Sequence, residues 1–187
     1  MHLMASKCNG VVQVYKTNNT VNLFNQVLDW YERRTSYVIV MEKPRNSMDL
    51  FEFSKQFGAI KEEPAKIIIK QIVQHCIDMR DKSAILHRDL KDENVLINTA
   101  DLTVKIIDFG CACEYKMDHN YITIAGTPEF FPPEMISAKS YTADKLNAWS
   151  IGMLVYVLVM GDVPFDNETM IVKLARVKVS CSYLNDH

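Results

Sequence analysis

His87-Arg88-Asp89-Leu90-Lys91-Asp92-Glu93-Asn94, followed downstream by Asp108-Phe109-Gly110, decides how this chain is read. Short apolar runs flank both segments. Ile85-Leu86 leads into the first, Val95-Leu96-Ile97 follows it, and Val104-Lys105-Ile106-Ile107 delivers Asp108. Such runs predict short strands, with the polar residues on the loops between them. Those polar residues are the ones phosphoryl transfer asks for. The reaction needs a positioned acceptor hydroxyl and charge stabilisation, with little covalent chemistry from the protein. Asp89 is the residue to accept a hydroxyl proton, a service worth about 10²–10⁴ in rate. Asn94 stands at the H-R-D-L-x-x-x-N spacing and would reach a Mg²⁺ ion. Asp108 offers carboxylate oxygen, which hard divalent cations prefer. Lys91 supplies a mobile point charge for the γ-phosphate. Either segment alone is a weak signal, equally readable as ordinary polar loop. Joined, and each bounded by strand-like runs, they are specific.

The joined segments resemble those of the eukaryotic protein kinases. Lys91, two positions after Asp89, resembles the serine/threonine type rather than the tyrosine type. Gly126-Thr127-Pro128-Glu129-Phe130-Phe131-Pro132-Pro133-Glu134 resembles the end of an activation segment, with Pro-Pro-Glu in place of the usual Ala-Pro-Glu. Trp149-Ser150-Ile151-Gly152 and Gly161-Asp162-Val163-Pro164-Phe165 resemble the central C-lobe helix and the turn after it. Leu28-Asp29-Trp30-Tyr31-Glu32, Glu42-Lys43-Pro44, Asp49-Leu50-Phe51-Glu52-Phe53 and Pro132-Pro133-Glu134 resemble the Pim family in particular. The similarity runs from about Leu28 to about Phe165.

The resemblance implies an α+β, protein-kinase-like fold, with a mostly helical C-lobe and a remnant of the N-lobe β-sheet. Residues 1–44 would be an incomplete N-lobe and hinge, and residues 45–187 a C-lobe truncated at its C-terminal end. The implied cofactors are ATP and Mg²⁺. The implied catalytic residues are Asp89, Lys91, Asn94 and Thr127, with Asn94 and Asp108 on the metal. Met41, Glu42, Asp49, Glu93, Leu96, Ile107 and Asp108 would surround the nucleotide. Met41 would stand behind the adenine as gatekeeper. Pro44 has no N–H, so one usual hinge donor would be absent; by residue type alone it reads as a plain turn proline. Substrates would be proteins with basic residues near Ser or Thr. Asp49, Glu93, Asp162 and Asp166 fall on segments where carboxylates could pair with substrate Arg, although each taken singly reads as a solvated surface charge.

Length and composition set bounds. With 187 residues the chain can bury one real core, yet it is short for a whole domain of this family. Hydrophobic content of 48% and charged content of 24% are those of an ordinary soluble globular protein. A net charge of −2 gives no reason to expect nucleic acid or a membrane surface as partner. The apolar stretch Ile151–Met160 is too short to span a bilayer and reads as a buried helix. No N-terminal signal is visible. The five cysteines are odd in number and fit no disulfide scaffold, so reduced thiols and a cytoplasmic or also nuclear location are expected. Cys111-Ala112-Cys113 could be half a zinc site, but no second half with ligand spacing follows.

Along the chain, Met1–Cys8 reads as the end of a helix and Val11–Gln26 as an insertion. Residues 26–31 and 36–41 read as strands joined by a turn at 32–35. Residues 48–57 read as a short helix. Pro64 opens a longer one, with Ile68, Ile69, Ile72, Val73, Cys76 and Ile77 as its apolar stripe. Thr142-Ala143-Asp144-Lys145 starts another, whose buried face is read as Trp149, Leu154, Val155 and Leu158; residues 167–179 form one more. Tyr121 and Thr123 are the hydroxyls available to phosphorylation between Gly110 and Gly126, on what reads as an exposed, unmodified loop.

Some family features are missing. The six glycines include no G-x-G-x-x-G, and no Val-Ala-Ile-Lys strand supplies the Lys that pairs with a helix Glu in active kinases. The Arg that would pair with Glu134 lies on helices beyond the readable similarity. Asn147 stands where most kinases have an Asp that anchors the catalytic loop; Asn can accept hydrogen bonds there but carries no charge. Two readings of function stay open on the sequence. One is an ATP-dependent, Pim-like serine/threonine kinase. The other is a catalytically inactive truncated product, acting as a binding module or an incomplete gene product, with a partner over the exposed C-lobe surface. A Walker-type nucleotide site has no motif to support it.

Overall fold

The computed structural model describes residues 27–41, 44–165 and 171–172. The readings placed on 1–26, on Glu42-Lys43 and on most of 167–179 lie outside the described residues. The elements are a mixture of small antiparallel sheets and helices, as the α+β expectation requires. β1 (Val27–Arg33) and β2 (Ser36–Met41) form a hairpin in which Arg33 faces Ser36. The turn is therefore shorter than expected, because Glu32 and Arg33 pair with Tyr37 and Ser36.

The second sheet places the site. β3 (Ser47–Asp49) pairs with β5 (Val95–Asn98), and β5 with β6 (Val104–Ile106), all antiparallel. Met48 and Asp49 thus belong to a strand, and α1 (Leu50–Phe57) begins only after them. The correction has a local cause as well as a pairing one: the Asp49 carboxylate accepts from the Glu52 N–H at 2.7 Å, the geometry of an N-cap.

α2 (Glu62–Ser83) is the long strut of the molecule. Its acidic first turn and basic last turn oppose the helix dipole. Ala65, Ile68, Ile72, Cys76 and Met79 are buried along one face, and each fully buried Ile contributes roughly 1.5–3 kcal/mol relative to exposure. Of the predicted stripe, Ile69, Val73 and Ile77 are only half-buried at its margins. Gln71 was not singled out by the apolar pattern, yet its amide donates to Leu102 O (2.8 Å) and accepts from Val104 N–H (3.2 Å). It ties the β5–β6 turn to the helix. Ala84 ends α2 in the left-handed region, and β4 (Ile85–Leu86) leads straight to His87, paired with β7 (Cys113–Glu114).

After the short helix α3 (Pro133–Ser137) comes α4 (Ala143–Met160), which packs against α2. Its buried positions are Ala143, Leu146, Ser150, Met153, Leu154, Val157 and Leu158, spaced as one helical face. Leu154 and Leu158 are buried as expected, whereas Trp149 and Val155 lie outside this face. Trp149 is half-buried and stacks on Phe165 with centroids 5.9 Å apart, and Val155 is 38% exposed. By length and composition alone α4 could cross a membrane, but its apolar face is the core of this fold. Gly161 closes it at φ 75°, where an added Cβ would stand 3.0 Å from Ala59 N.

Candidate active site

The loop after β4 is organised by His87, whose ring is buried. Its Nδ1 accepts from the Asp89 N–H (3.3 Å), so the ring proton sits on Nε2 and is donated to Ile107 O (3.0 Å). The Ile107 N–H in turn donates to Asn94 O (2.9 Å). One residue is thereby fastened by both its backbone groups to the loop that carries Asp89 and Asn94, and the next residue is Asp108. Phe109 packs edge-on against the His87 ring, with centroids 4.8 Å apart. Asn147, by contrast, makes no side-chain hydrogen bond among the described residues, so the loop is anchored by His87.

Both oxygens of Asp89 are held. Oδ1 accepts from Thr127 Oγ1 at 2.7 Å, and Oδ2 from Asn94 Nδ2 at 3.1 Å. Asn94 Nδ2 also reaches Asp89 O at 2.8 Å. Each carboxylate oxygen has two lone pairs, so the group stays able to accept a proton while its direction is fixed. Lys91 forms an ion pair with Glu93. Burial pulls its ammonium down, but Glu93, Asp89 and Asp92 outweigh this and hold it above the usual lysine range. It is therefore a cation at any physiological pH. Asp92 is buried, and that burial pushes its carboxyl up.

Asp108 sits at φ 60° and ψ 79° with its side chain in solvent. A left-handed non-glycine residue costs of order 1–3 kcal/mol, and here the conformation turns the carboxylate out of the strand end. Its Oδ1 accepts from Gly110 N–H at 3.0 Å, and its Oδ2 has no partner among the described residues. Arg88 shares the left-handed conformation at φ 66° and donates from Nε to Cys111 O at 2.5 Å. Gly126, at φ 111°, passes so close that a Cβ would stand 2.4 Å from Arg88 O. Only glycine lets the segment bring Thr127 onto Asp89.

The donor chemistry suits Mg²⁺. Asn94 commits its N–H groups to Asp89, which leaves its carbonyl as an oxygen donor, and Asp108 has a free carboxylate oxygen. Among the described residues no cluster of three or more His, Cys, Asp or Glu could hold a metal by itself. Mg²⁺ is commonly bound by one or two protein oxygens together with substrate phosphates, and these residues match that need.

The structure brings Asp89, Asn94, Thr127, Lys91 and Glu93 together. Leu96 and Ile107 are buried, and Leu96 lies between Asp49 and Lys105 in the sheet. Asp49 caps α1. Met41 ends β2 opposite Val27, and Glu42 lies outside the described residues, as does Asp166. Asp162 is exposed and accepts from the Val163 N–H at 2.8 Å. Two site features were not assigned from sequence: the His87–Ile107 rivet and the Gly126 approach. Both residues stood inside quoted motifs, so residue type was the available signal. The loop from Lys116 to Ile124 is exposed as expected, except at Tyr121, which is only 8% exposed. Cys76 is buried on α2, with its thiol pushed up to about 12.

Burial holds the His87 imidazole well below its ordinary range, against its bond to Ile107 and the charges of Asp89 and Asp108. His75 is lowered by burial too, against Asp78. A depressed pKa means the unfolded chain binds protons that the folded chain refuses, so stability rises with pH across that window. The melting midpoint is expected to be level above about pH 7 and to fall as pH drops from about 6.5 toward the folded-state values. A flat midpoint down to about pH 5.5 would contradict neutral buried rings.

The buried His87 is thus fastened to the strand end that carries the left-handed Asp108 of Asp-Phe-Gly, and the comparisons show which family the chain belongs to. The family model described as protein kinase domain matches residues 8–184, and the chain belongs to that family. The chain is 41% identical over 149 residues to the serine/threonine-protein kinase pim-2 of Danio rerio, covering 79% of this chain and 47% of that protein. It is 38% identical over 146 residues to the serine/threonine-protein kinase prk-2 of Caenorhabditis elegans, covering 76% and 32%. A PAS domain-containing serine/threonine-protein kinase of Mus musculus is 36% identical over 140 residues, covering 75% and 10%. The chain is Pim-like, and it spans about half the length, or less, of these curated relatives.

Proposed function

We propose that this chain transfers the γ-phosphoryl group of ATP to Ser or Thr hydroxyls of proteins. The observation that supports this most is the Asp89 carboxylate, held at both oxygens by Thr127 and Asn94 in a chain of the protein kinase family. Asp89 takes the hydroxyl proton as the substrate oxygen bonds to phosphorus and the bond to the bridging oxygen of ADP breaks. Lys91, kept protonated by its acidic neighbours, faces the charge that shifts onto the phosphoryl oxygens. Asn94 and Asp108 would hold Mg²⁺, which would offset the negative charge of the phosphates. We read residues 1–44 as N-lobe and hinge and 45–187 as C-lobe, with Met41, Glu42, Leu96 and Ile107 toward the base of the nucleotide.

We also propose a preference for basic substrates, carried by Asp49 and Glu93. Glu93 is exposed beside the loop, and its partner Lys91 belongs to the same loop. Incubation with labelled ATP, Mg²⁺ and a serine peptide bearing upstream Arg residues is expected to place label on serine. A matched peptide with neutral residues should react about tenfold less efficiently, the scale of one charge-assisted contact. Equal efficiencies would overturn the preference. Label on neither peptide would favour the rival reading of an inactive binding module.

A further inference from the structure

Between Lys116 and Ile124 every residue but one is exposed, and Met117 and Ile122 are each 77% exposed. The exception is Tyr121. Its backbone forms a two-bond antiparallel bridge with Tyr141, Tyr121 N–H to Tyr141 O at 2.8 Å and Tyr141 N–H to Tyr121 O at 3.1 Å. The two rings stack at 5.5 Å and 19°. The Tyr121 hydroxyl donates to Glu114 O (2.9 Å) and accepts from Lys116 N–H (2.8 Å), which closes the turn on itself. The Tyr141 hydroxyl donates to Thr123 O (3.0 Å). Both rings lie in a separate small core with Leu86, Phe131, Met135, Ala143 and Leu146. Beyond Thr123 the chain runs directly to Gly126 against Arg88 O and to Thr127 on Asp89.

We propose that Tyr121 and Tyr141 form a clasp that positions the segment carrying Gly126 and Thr127, and so sets how Asp89 is held. The catalytic consequence rests on the kinase reading; the docking of the segment does not. The bonds named join neutral groups, and the Arg88 guanidinium also bonds the Tyr141 side chain. A stack of two rings alone would be ordinary core packing. The hydroxyls set this pair apart, because they fasten backbone at the end of β7, at Lys116 and at Thr123. These are positioning residues: their hydroxyls bond the backbone of Glu114, Lys116 and Thr123.

The test uses the full chain with Tyr121→Phe and, separately, Tyr141→Phe, which keep the rings and remove the hydroxyls. Amide hydrogen exchange over residues 113–127 is expected to quicken by about tenfold in each, as the docked population falls. Exchange within α2 should match wild type, and the melting midpoint should stay within about 2 °C of it. For peptide phosphorylation, kcat should fall about tenfold with KM for ATP unchanged. Tyr141→Ala, which also removes the stack, should exceed both. Unchanged exchange over 113–127 in both Phe variants would overturn the clasp. A uniform rise in exchange across α2 and the segment would reduce it to packing and overturn it likewise. Faster segment exchange with unaltered kcat would overturn the positioning role. A wild-type chain that transfers no phosphate would sink the kinase reading and with it the catalytic role, while the exchange arm would still decide whether the segment is clasped.

Discussion

Asp89→Asn is expected to lower the rate of phosphate transfer to a serine peptide by about 10²–10⁴-fold, with little change in melting temperature. The substitution keeps the shape of the side chain and one acceptor oxygen, so Thr127 Oγ1 retains a partner. Asn94 Nδ2 retains Asp89 O at 2.8 Å. What is lost is the group that accepts the hydroxyl proton, together with one favourable contact, because an amide NH₂ would then face the Asn94 NH₂. The site is on a loop with only half-buried exposure at Asp89, so a fold collapse is not expected. Steady-state kinetics beside a thermal melt check this. A variant within about threefold of wild type would show that Asp89 is not the base.

Gly126→Ala should be nearly as damaging for a different reason. At φ 111° an L side chain is strained in any surroundings, and here the new Cβ would meet Arg88 O at 2.4 Å. The carbonyl cannot easily yield. Arg88 is itself left-handed and bonded to Cys111 O, and its neighbours His87 and Asp89 are tied to each other. The segment must move instead, and Thr127 leaves Asp89. A misplacement of about 1 Å at such a site can cost about 10²-fold, so kcat/KM is expected to fall by at least about that much. The α2–α4 core is untouched, so the melting temperature should fall far less than activity suggests. Near-wild-type kcat/KM would contradict the claim that this close approach positions the site.

Sequence reading went furthest where physics is local. The His87–Asn94 spacing names chemistry that a short loop must present, and the 3.6-residue stripe of α2 follows from one buried face. Asp49 is expected only as a site acid, and the structure shows it also capping α1. Elsewhere the deciding interactions join distant residues. Met48 and Asp49 enter a strand because β5 supplies the partner, which no window around them contains. In α4 the run Ile151–Met160 is apolar all round, so no period singles out Met153 and Val157 over Val155. Tyr121 is buried by Tyr141, far along the chain, and its own neighbours are exposed and polar enough to suggest a loose loop. Residue type alone could not reveal that Gly126 stands against Arg88, since the glycine serves a contact rather than a turn.

A melt of the full chain with Mg-ATP, beside Asp108→Asn, tests the proposed nucleotide–metal site at the Asn94 and Asp108 oxygens. Ligand at about 100 times its Kd should stabilise the wild type by about 2.7 kcal/mol, a rise of roughly 5–10 °C for a chain of this size. A saturable rise that needs Mg²⁺ is expected, and it should be lost in the variant, whose amide keeps the shape of Asp108 but not its charge. A wild-type chain that melts cooperatively and shows no rise, or a rise equally present in Asp108→Asn, would contradict it.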